Sequence, residues 1–279
     1  MLHEWNPKRE EKMNTLEQTE RPGIFALFKG PSGSGKTVGA LSFPEVWMAD
    51  LDKKMPAIAR KHFPKKSIDY EQFDLIYPLE DRLTNWLGNC PHETLLFDSI
   101  TSMVSLILKS TGVAKGEGMT QMLKNMNKFA GKFKQELMTI DYYNAETRIV
   151  EHIIDLCKTL YIQPGNPKNI IFTAHILTVE SAPDLKTKIV TRTRSIVTAG
   201  KKVAAWVPTQ FDEVYLFGTS EQGGLGENEE SKTHHLMTSE TTGEDDAKTA
   251  FFLSKYTDFT DKNLYEMLQA QIAGAEMFQ

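Results

Sequence analysis

The feature that most limits how this chain can fold is the stretch GPSGSGKT at residues 30–37. It matches the pattern G-x-x-x-x-G-K-[ST], in which backbone N–H groups surround phosphate, the lysine reaches the terminal phosphates and the hydroxyl binds Mg²⁺. The apolar run GIFALF before it predicts a buried strand, and KTVGALSF predicts a helix that Pro44 closes. The stretch therefore predicts a nucleotide phosphate loop, with a glycine-rich surface turn as the alternative. Its phosphate-binding residues are Gly30, Pro31, Ser32, Gly33, Ser34, Gly35, Lys36 and Thr37.

Length and composition set the remaining bounds. The 279 residues are 40% hydrophobic, enough for one large domain with additions, and the net charge of −5 argues against nucleic-acid binding over the whole surface. Cys90 and Cys157 lack the spacing of metal ligands or of a disulfide framework. Residues 1–22 carry charges of both signs and no apolar segment, which predicts an exposed N-terminal arm rather than a signal peptide or membrane anchor. We expect a cytoplasmic protein with no membrane partner.

Short apolar runs alternate with helical patterns along the chain. The candidate strands are GIFALF, EVWMAD, TLLFDS, NIIFTAH and FDEVYLFG. Such alternation predicts an α/β fold with a mainly parallel sheet flanked by helices. Between the third and fourth strands, Ile149, Ile153, Leu156 and Leu160 repeat at helical spacing and predict a core helix.

The chain after the fourth strand divides less clearly. Residues 181–197 predict a two-stranded excursion, and the acidic, glycine-rich stretch after Gly218 predicts a mobile loop. Two further strands and a terminal helix near Asn263–Ile272 follow it. We expect three parts: an arm over 1–22, a nucleotide-binding core over 23–218, and an acidic loop with a C-terminal β-hairpin and helix over 219–279.

An acid at the end of the third strand is the candidate magnesium ligand. Asp98 follows the run TLLF, and open α/β sheets bind their ligands at the carboxyl ends of such strands. We expect Asp98 to hold Mg²⁺ together with Thr37, with a helix cap as the alternative for Asp98. Because Ser99 and not a glutamate follows Asp98, the group that orients water for hydrolysis must come from elsewhere.

Two other strand ends carry candidate catalytic groups. Asp50 and Asp52 end the second strand, and Asp52, the more distal, is the candidate base, with a solvated turn aspartate as the alternative. His175, placed just beyond the fourth strand, is the candidate sensor of the terminal phosphate, with a buried structural histidine as the alternative. Lys36 completes the catalytic set, whereas His234 and His235 are taken as ordinary surface or strand residues.

The phosphate loop, Asp50 and Asp52, LLFDSIT, FTAH and TAGKKVAAWVPTQFDEVYLF together resemble the RecA-like ATPase core. They are most similar to small single-domain versions carried by bacteriophages, described as AAA-family or nucleotide-binding proteins and linked to single-strand annealing or recombination. The resemblance covers roughly 23–218 and implies ATP and Mg²⁺ as cofactors, Asp52 as base and His175 as sensor. In RecA a glutamate and a glutamine take these last two roles.

Basic residues concentrate in two segments, 109–134 and 186–202, where the resemblance places DNA-binding loops. Basic loops neutralise a phosphate backbone without fixing its sequence, as single-stranded DNA binding requires. The alternatives are a solvated face, or cations offered to ATP across a subunit boundary. The candidate contacts are Lys124, Lys128, Lys132, Arg192, Arg194, Lys201 and Lys202.

Three functions fit these residues. The first is an ATPase acting on single-stranded DNA in phage recombination or replication, working as a homo-oligomer with other phage proteins of that process. The second is a nucleotide-dependent oligomeric switch that binds a protein partner. A small-molecule kinase ranks last because no acceptor pocket or arginine-rich lid is recognisable, and a GTPase is disfavoured because no N-K-x-D motif occurs.

Overall fold

The computed structural model describes residues 23–117, 134–163, 168–180, 192–198, 201–222, 232–239, 247–249, 251 and 253–276. Four of the sequence predictions therefore lie outside the described residues: the N-terminal arm, the turn of the two-stranded excursion, most of the acidic loop, and the candidate contacts Lys124, Lys128 and Lys132.

Nine strands of the described residues form a largely parallel sheet. They are β1 Phe25–Gly30, β2 Val46–Asp50, β3 Asp69–Glu71, β4 Thr94–Asp98, β5 Asn169–Glu180, β6 Arg192–Ile196, β7 Glu213–Gln222, β8 Lys232–Thr238 and β9 Tyr256–Asp258. Their order is β3-β2-β4-β5-β1-β7-β8-β9, and the first six of these are parallel to one another. β8 and β9 join antiparallel, and β6 pairs antiparallel with the distal part of β5. The predicted α/β fold class is confirmed.

Seven helices flank the sheet within the described residues. They are α1 Lys36–Ala40, α2 Met55–His62, α3 Tyr77–Trp86, α4 Ile100–Glu117, α5 Lys134–Tyr161, α6 Lys201–Trp206 and α7 Leu264–Glu276, and a 3₁₀ turn over Val207–Gln210 follows α6. In this part of the chain, none of them is long and apolar enough to cross a membrane.

The two faces of the sheet are covered by different helices. Side chains alternate along β1, so Phe25 and Leu27 belong to one hydrophobic core while Ala26 and Phe28 belong to the other. The first core contains buried residues of α3, α4 and α5, and the second contains residues of α1, α2 and α7. Burial on both faces explains why the central strands read as continuous apolar runs rather than as alternating ones.

The predicted core helix and strands are observed, with one correction. Ile153 and Leu160 are fully buried on α5, as their spacing predicts. The expectation that His175 lies just beyond the fourth strand is wrong, because β5 continues to Glu180. There β6 supplies an antiparallel partner, beginning with the pair Ile176 and Ile196. His175 is therefore an internal strand residue at the point where the pairing partner of β5 changes.

The sheet brings distant parts of the sequence to one edge. In register, Gly30 of β1 lies opposite His175 of β5, and Asp50 of β2 lies opposite Asp98 of β4. These positions are at or near the carboxyl ends of parallel strands, so the phosphate loop and the acidic strand ends meet at the same edge. The C-terminal α7 packs beside them, where the Tyr265 N–H donates to Ser42 Oγ at 3.0 Å, just after α1.

Candidate nucleotide-binding site

The phosphate loop turns sharply between β1 and α1. Gly33 and Gly35 have φ values of 79° and 90°, in the left-handed region that favours glycine. Gly30 is needed for a different reason, because a Cβ atom there would lie 2.4 Å from the Phe217 carbonyl oxygen. Ser34 Oγ donates to the Pro31 carbonyl at 2.8 Å and closes the turn. The glycine pattern in the sequence thus has a steric cause at each of these three positions.

Lys36 places a cation at the centre of this loop. The residue is 5% exposed, and its Nζ donates to the carbonyls of Gly30 at 2.9 Å and Pro31 at 2.7 Å. Burial lowers the pKa of Lys36 to about 8, although the carboxylates of Asp98 and Asp52 act in the opposite direction. A buried cation with few counter-charges is well suited to attract the terminal phosphates of a nucleotide.

Thr37 and Asp98 meet beside the loop. Thr37 Oγ1 donates to Asp98 Oδ2 at 2.8 Å, and the Thr173 hydroxyl of β5 donates to Asp98 Oδ1. Asp98 is 4% exposed, so burial raises its pKa, and the neighbouring Asp52 carboxylate adds to that effect. A hydroxyl and a carboxylate at the phosphate loop form the kind of oxygen pair that binds Mg²⁺ in nucleotide-binding proteins.

The helix-cap alternative for Asp98 does not match these contacts. α4 begins at Ile100, and the hydroxyl of Ser99 accepts the Ser102 N–H at 3.3 Å. The Ser99 carbonyl accepts the Met103 N–H at 2.8 Å. Ser99 therefore supplies the cap, and the Asp98 carboxylate faces Thr37.

Asp52 lies in the turn after β2 with its side chain 6% exposed. Its Oδ1 accepts hydrogen bonds from Ser102 Oγ and, at 3.2 Å, from Ser99 Oγ. Its Oδ2 lies 3.0 Å from Lys54 Nζ and 3.6 Å from His175 Nε2. Burial would raise the pKa of Asp52, but the nearby His175 ring and the hydrogen bonds from Ser102 and Lys54 together hold that pKa well below its usual range. The alternative of a solvated turn aspartate does not fit this environment.

Asp50 has a different environment, although it is only two residues away. It is fully buried, and its carboxylate accepts the N–H groups of Lys54 at 2.9 Å and Met55 at 3.0 Å at the start of α2. Gln72 Nε2 donates to it at 2.8 Å. Asp50 thus ties β2 to α2 and supports the turn that carries Asp52.

The phosphate loop and the candidate catalytic residues lie around one cavity of about 820 Å³. It is lined by the phosphate loop from Ser32 to Thr37 and by Asp52, Asp98 and His175. The structure therefore brings together every phosphate-loop, magnesium and catalytic residue that the sequence analysis singled out, apart from Gly30 and Pro31, which lie at the base of the loop.

A family model described as an AAA domain matches residues 23–251 of the chain. The chain belongs to this family. The AAA domain indicates an AAA-type P-loop protein with nucleotide binding and ATPase activity. A search among curated proteins found no match.

Sequence reasoning missed several residues of this AAA protein's site. Thr173 donates to Asp98, and Ser102 donates to Asp52. Lys54 pairs with Asp52, and His235 and Phe259 line the cavity. His235, taken from the sequence as an ordinary residue, lies against the phosphate loop, because a Cβ atom on Gly35 would be 3.1 Å from its Nδ1. Ser102 follows Ser99 at helical spacing, which is the one local pattern that points to a shared contact.

The four described candidates for polymer or subunit contacts lie on two elements. Arg192 and Arg194 are on β6, and Lys201 and Lys202 begin α6. Arg194 is exposed and lies opposite Thr178, on the ribbon that continues β5 beyond His175. The AAA domain thus presents an exposed arginine on the same strand pair that carries the candidate phosphate sensor.

Proposed function

We propose that this AAA protein hydrolyses ATP with Mg²⁺ and acts on single-stranded DNA, in the setting of phage recombination or replication that the resemblance implies. The observation that carries the hydrolysis proposal is the convergence of Lys36, Thr37, Asp98, Asp52 and His175 on one cavity. They come from four separate parts of the sequence, and together they supply the groups that phosphoryl transfer to water needs: a phosphate cradle, a cation, oxygen ligands and an orienting carboxylate.

The phosphate loop and Lys36 bind the triphosphate. The loop's N–H groups bind phosphate oxygens, and the buried Lys36 ammonium group compensates their charge. Thr37 Oγ1 and Asp98 Oδ2 would hold Mg²⁺, which supplies charge neutralisation on the β- and γ-phosphate oxygens when it is bound. Burial of Asp98 keeps water from competing for that carboxylate.

Asp52 and His175 act on the attacking water. The low pKa of Asp52 keeps its carboxylate ionised at neutral pH, so it accepts a hydrogen bond from water and orients it. His175 Nε2 lies 3.6 Å from Asp52 Oδ2 and lines the same cavity, which supports its proposed role as the sensor of the terminal phosphate. Because its carboxylate is a weak base, Asp52 orients the water and stabilises charge rather than accepting the proton.

Asp98→Asn is expected to raise the Mg²⁺ concentration for half-maximal turnover by about tenfold or more, because it removes the only carboxylate assigned to the ion. ATP binding measured without Mg²⁺ should change much less. The measurement is a Mg²⁺ titration of ATP hydrolysis. Asp74→Asn makes the same chemical change at an exposed aspartate paired with Lys53 and should leave the curve unchanged. An unaltered Mg²⁺ requirement in Asp98→Asn would contradict the assignment.

The DNA proposal is supported by charge and position. Basic segments at 109–134 and 186–202 follow β4 and β5, and the ribbon of β5 and β6 presents Arg194 beyond His175. A strand bound along that ribbon would lie close to the candidate sensor of the terminal phosphate. The competing proposal, an oligomeric switch with a protein partner, assigns the same cations to ATP in a neighbouring subunit.

Single-stranded DNA binding is expected to weaken steeply with salt. Each neutralised phosphate contributes about −0.7 to the slope of log affinity against log salt, so four to six contacts predict a slope of roughly −3 to −4. Replacing Lys124, Lys128 and Lys132 together with alanine should flatten the slope by about two units, equally for different base sequences. ATP binding without DNA should stay unchanged. If the wild type has no measurable affinity at low salt with ATP and Mg²⁺ present, the oligomeric switch takes first place.

A further inference from the structure

A second cavity, of about 420 Å³, adjoins the nucleotide cavity. The two share Asp52, Lys54 and His175 as lining residues. The second cavity is also lined by Ser102 and Ser105, on the first two turns of α4. The start of α4 therefore lies directly against Asp52 and His175, the two residues proposed to act on the attacking water.

The two oxygens of Asp52 have different partners. Oδ1 accepts hydrogen bonds from Ser102 Oγ and Ser99 Oγ, both at the start of α4. Oδ2 faces Lys54 and His175. Terminal carboxylate torsions are broad and weakly defined on their own, so a carboxylate keeps one orientation only where its surroundings hold it. The serine hydroxyls on one oxygen and Lys54 on the other therefore hold the plane of the carboxylate, so that one oxygen faces His175.

The first turn of α4 is itself firmly held. Met103 and Ile107 are fully buried in the core, so packing limits movement of the helix. Thr101 Oγ1 accepts the backbone N–H of His175 at 3.3 Å, which attaches the same turn to β5. One rigid helical turn thus contacts both the carboxylate and the strand that carries the histidine, as precise positioning of a reacting group requires.

We propose that Ser102 is a positioning residue for the hydrolysis of ATP, because its hydroxyl fixes the Asp52 carboxylate with Oδ2 toward His175 and the attacking water. The inference rests on the proposed ATPase function. Ser102 acts only through Asp52, so its loss should slow the chemical step and leave ATP binding alone. A misplacement of about 1 Å in such a group is enough for a large loss of rate.

Ser102→Ala is expected to lower kcat about tenfold, with the KM and Kd for ATP unchanged within about twofold. Alanine is a strong helix former, so the variant should fold. Ser102→Thr keeps the hydroxyl, the neighbouring cavity has room for the added methyl group, and we expect it to restore most of the lost kcat. Ser105→Ala, one turn along the same helix and exposed, is the matched control and should turn over at the wild-type rate.

The outcomes separate this inference from the function on which it rests. The positioning role is overturned by any of three results: a wild-type kcat in Ser102→Ala, a Ser102→Thr as slow as Ser102→Ala, or an equal loss in Ser105→Ala. In each of these cases, a slow Asp52→Asn leaves the ATPase proposal standing. No ATP hydrolysis by the wild type overturns the function and the inference together. Normal turnover in Asp52→Asn overturns the role of Asp52, and with it the inference, but leaves the ATPase function standing. Slow turnover confined to Ser102→Ala, with intact ATP affinity and rescue by threonine, supports it.

Discussion

Replacing Lys36 with methionine is expected to weaken ATP binding by about a hundredfold or more and to abolish measurable turnover. Methionine keeps most of the buried stem but removes the charge that compensates the phosphates, and one or two lost hydrogen bonds to a charged group account for a loss of that size. The measurement is ATP affinity by calorimetry together with steady-state hydrolysis. Lys65→Met, at an exposed lysine outside the loop, is the control and should retain both.

Unfolding would not explain that loss, because burial of the charged Lys36 side chain lowers the stability of the folded wild type. Its pKa is about 8 in the folded protein against 10.5 ordinarily, so folding disfavours the charged form. At pH 7 this costs about 3 kcal/mol, and the cost disappears as pH rises from about 8 to above 10.5. Losing the donors to two loop carbonyls offsets part of the gain in Lys36→Met. We expect the ligand-free variant to be at least as stable as the wild type at pH 7, with any advantage shrinking toward pH 10.5. A stable Lys36→Met protein that binds ATP normally would defeat the phosphate-loop assignment.

The strands that continuous apolar runs mark in the sequence are the central ones, which are buried on both faces. GIFALF and TLLFDS become β1 and β4, whose residues are all buried, and a continuous apolar run is enough to find such a strand. β3, with the sequence DYE, is short, polar and mostly exposed at the edge of the sheet, so no apolar pattern marks it. The order of the strands is set by pairing between residues far apart in sequence. No local pattern contains that information.

The candidate site likewise contains residues that the sequence marks and residues that it does not. The phosphate loop is contiguous, so its spacing alone locates it, and Asp98 follows a recognisable strand. No sequence pattern marks Ser102 and Thr173 as site residues, because their contacts with Asp52 and Asp98 join residues 50 and 75 positions apart. In the sequence, only its more distal position favours Asp52 over Asp50 as the base. The structure adds the physical reason, because Asp50 ties β2 to α2 whereas Asp52 faces the cavity.

Asp52→Asn is expected to lower kcat by about a hundredfold or more while ATP still binds with an affinity close to that of the wild type. The amide keeps the size of the side chain and can still accept from Ser102, but it carries no negative charge toward the water. Single-turnover hydrolysis and an independent measurement of ATP affinity separate the two effects. Because hydrogen bonds hold the pKa of Asp52 well below its usual range, wild-type turnover should not fall between pH 7 and pH 5 through protonation of this carboxylate.

Asp50→Asn is the matched control for that experiment, since it makes the same chemical change at a buried aspartate two residues away. Asp50 accepts two backbone N–H groups and the Gln72 amide, so the variant should lose about 1–3 kcal/mol of stability. Its turnover per folded molecule should stay within a few fold of the wild type, because Asp52 remains ionised and in place. A slow Asp52→Asn beside a destabilised but active Asp50→Asn would separate charge at the site from support of the fold. Normal hydrolysis by Asp52→Asn would place the water-orienting group elsewhere in the chain.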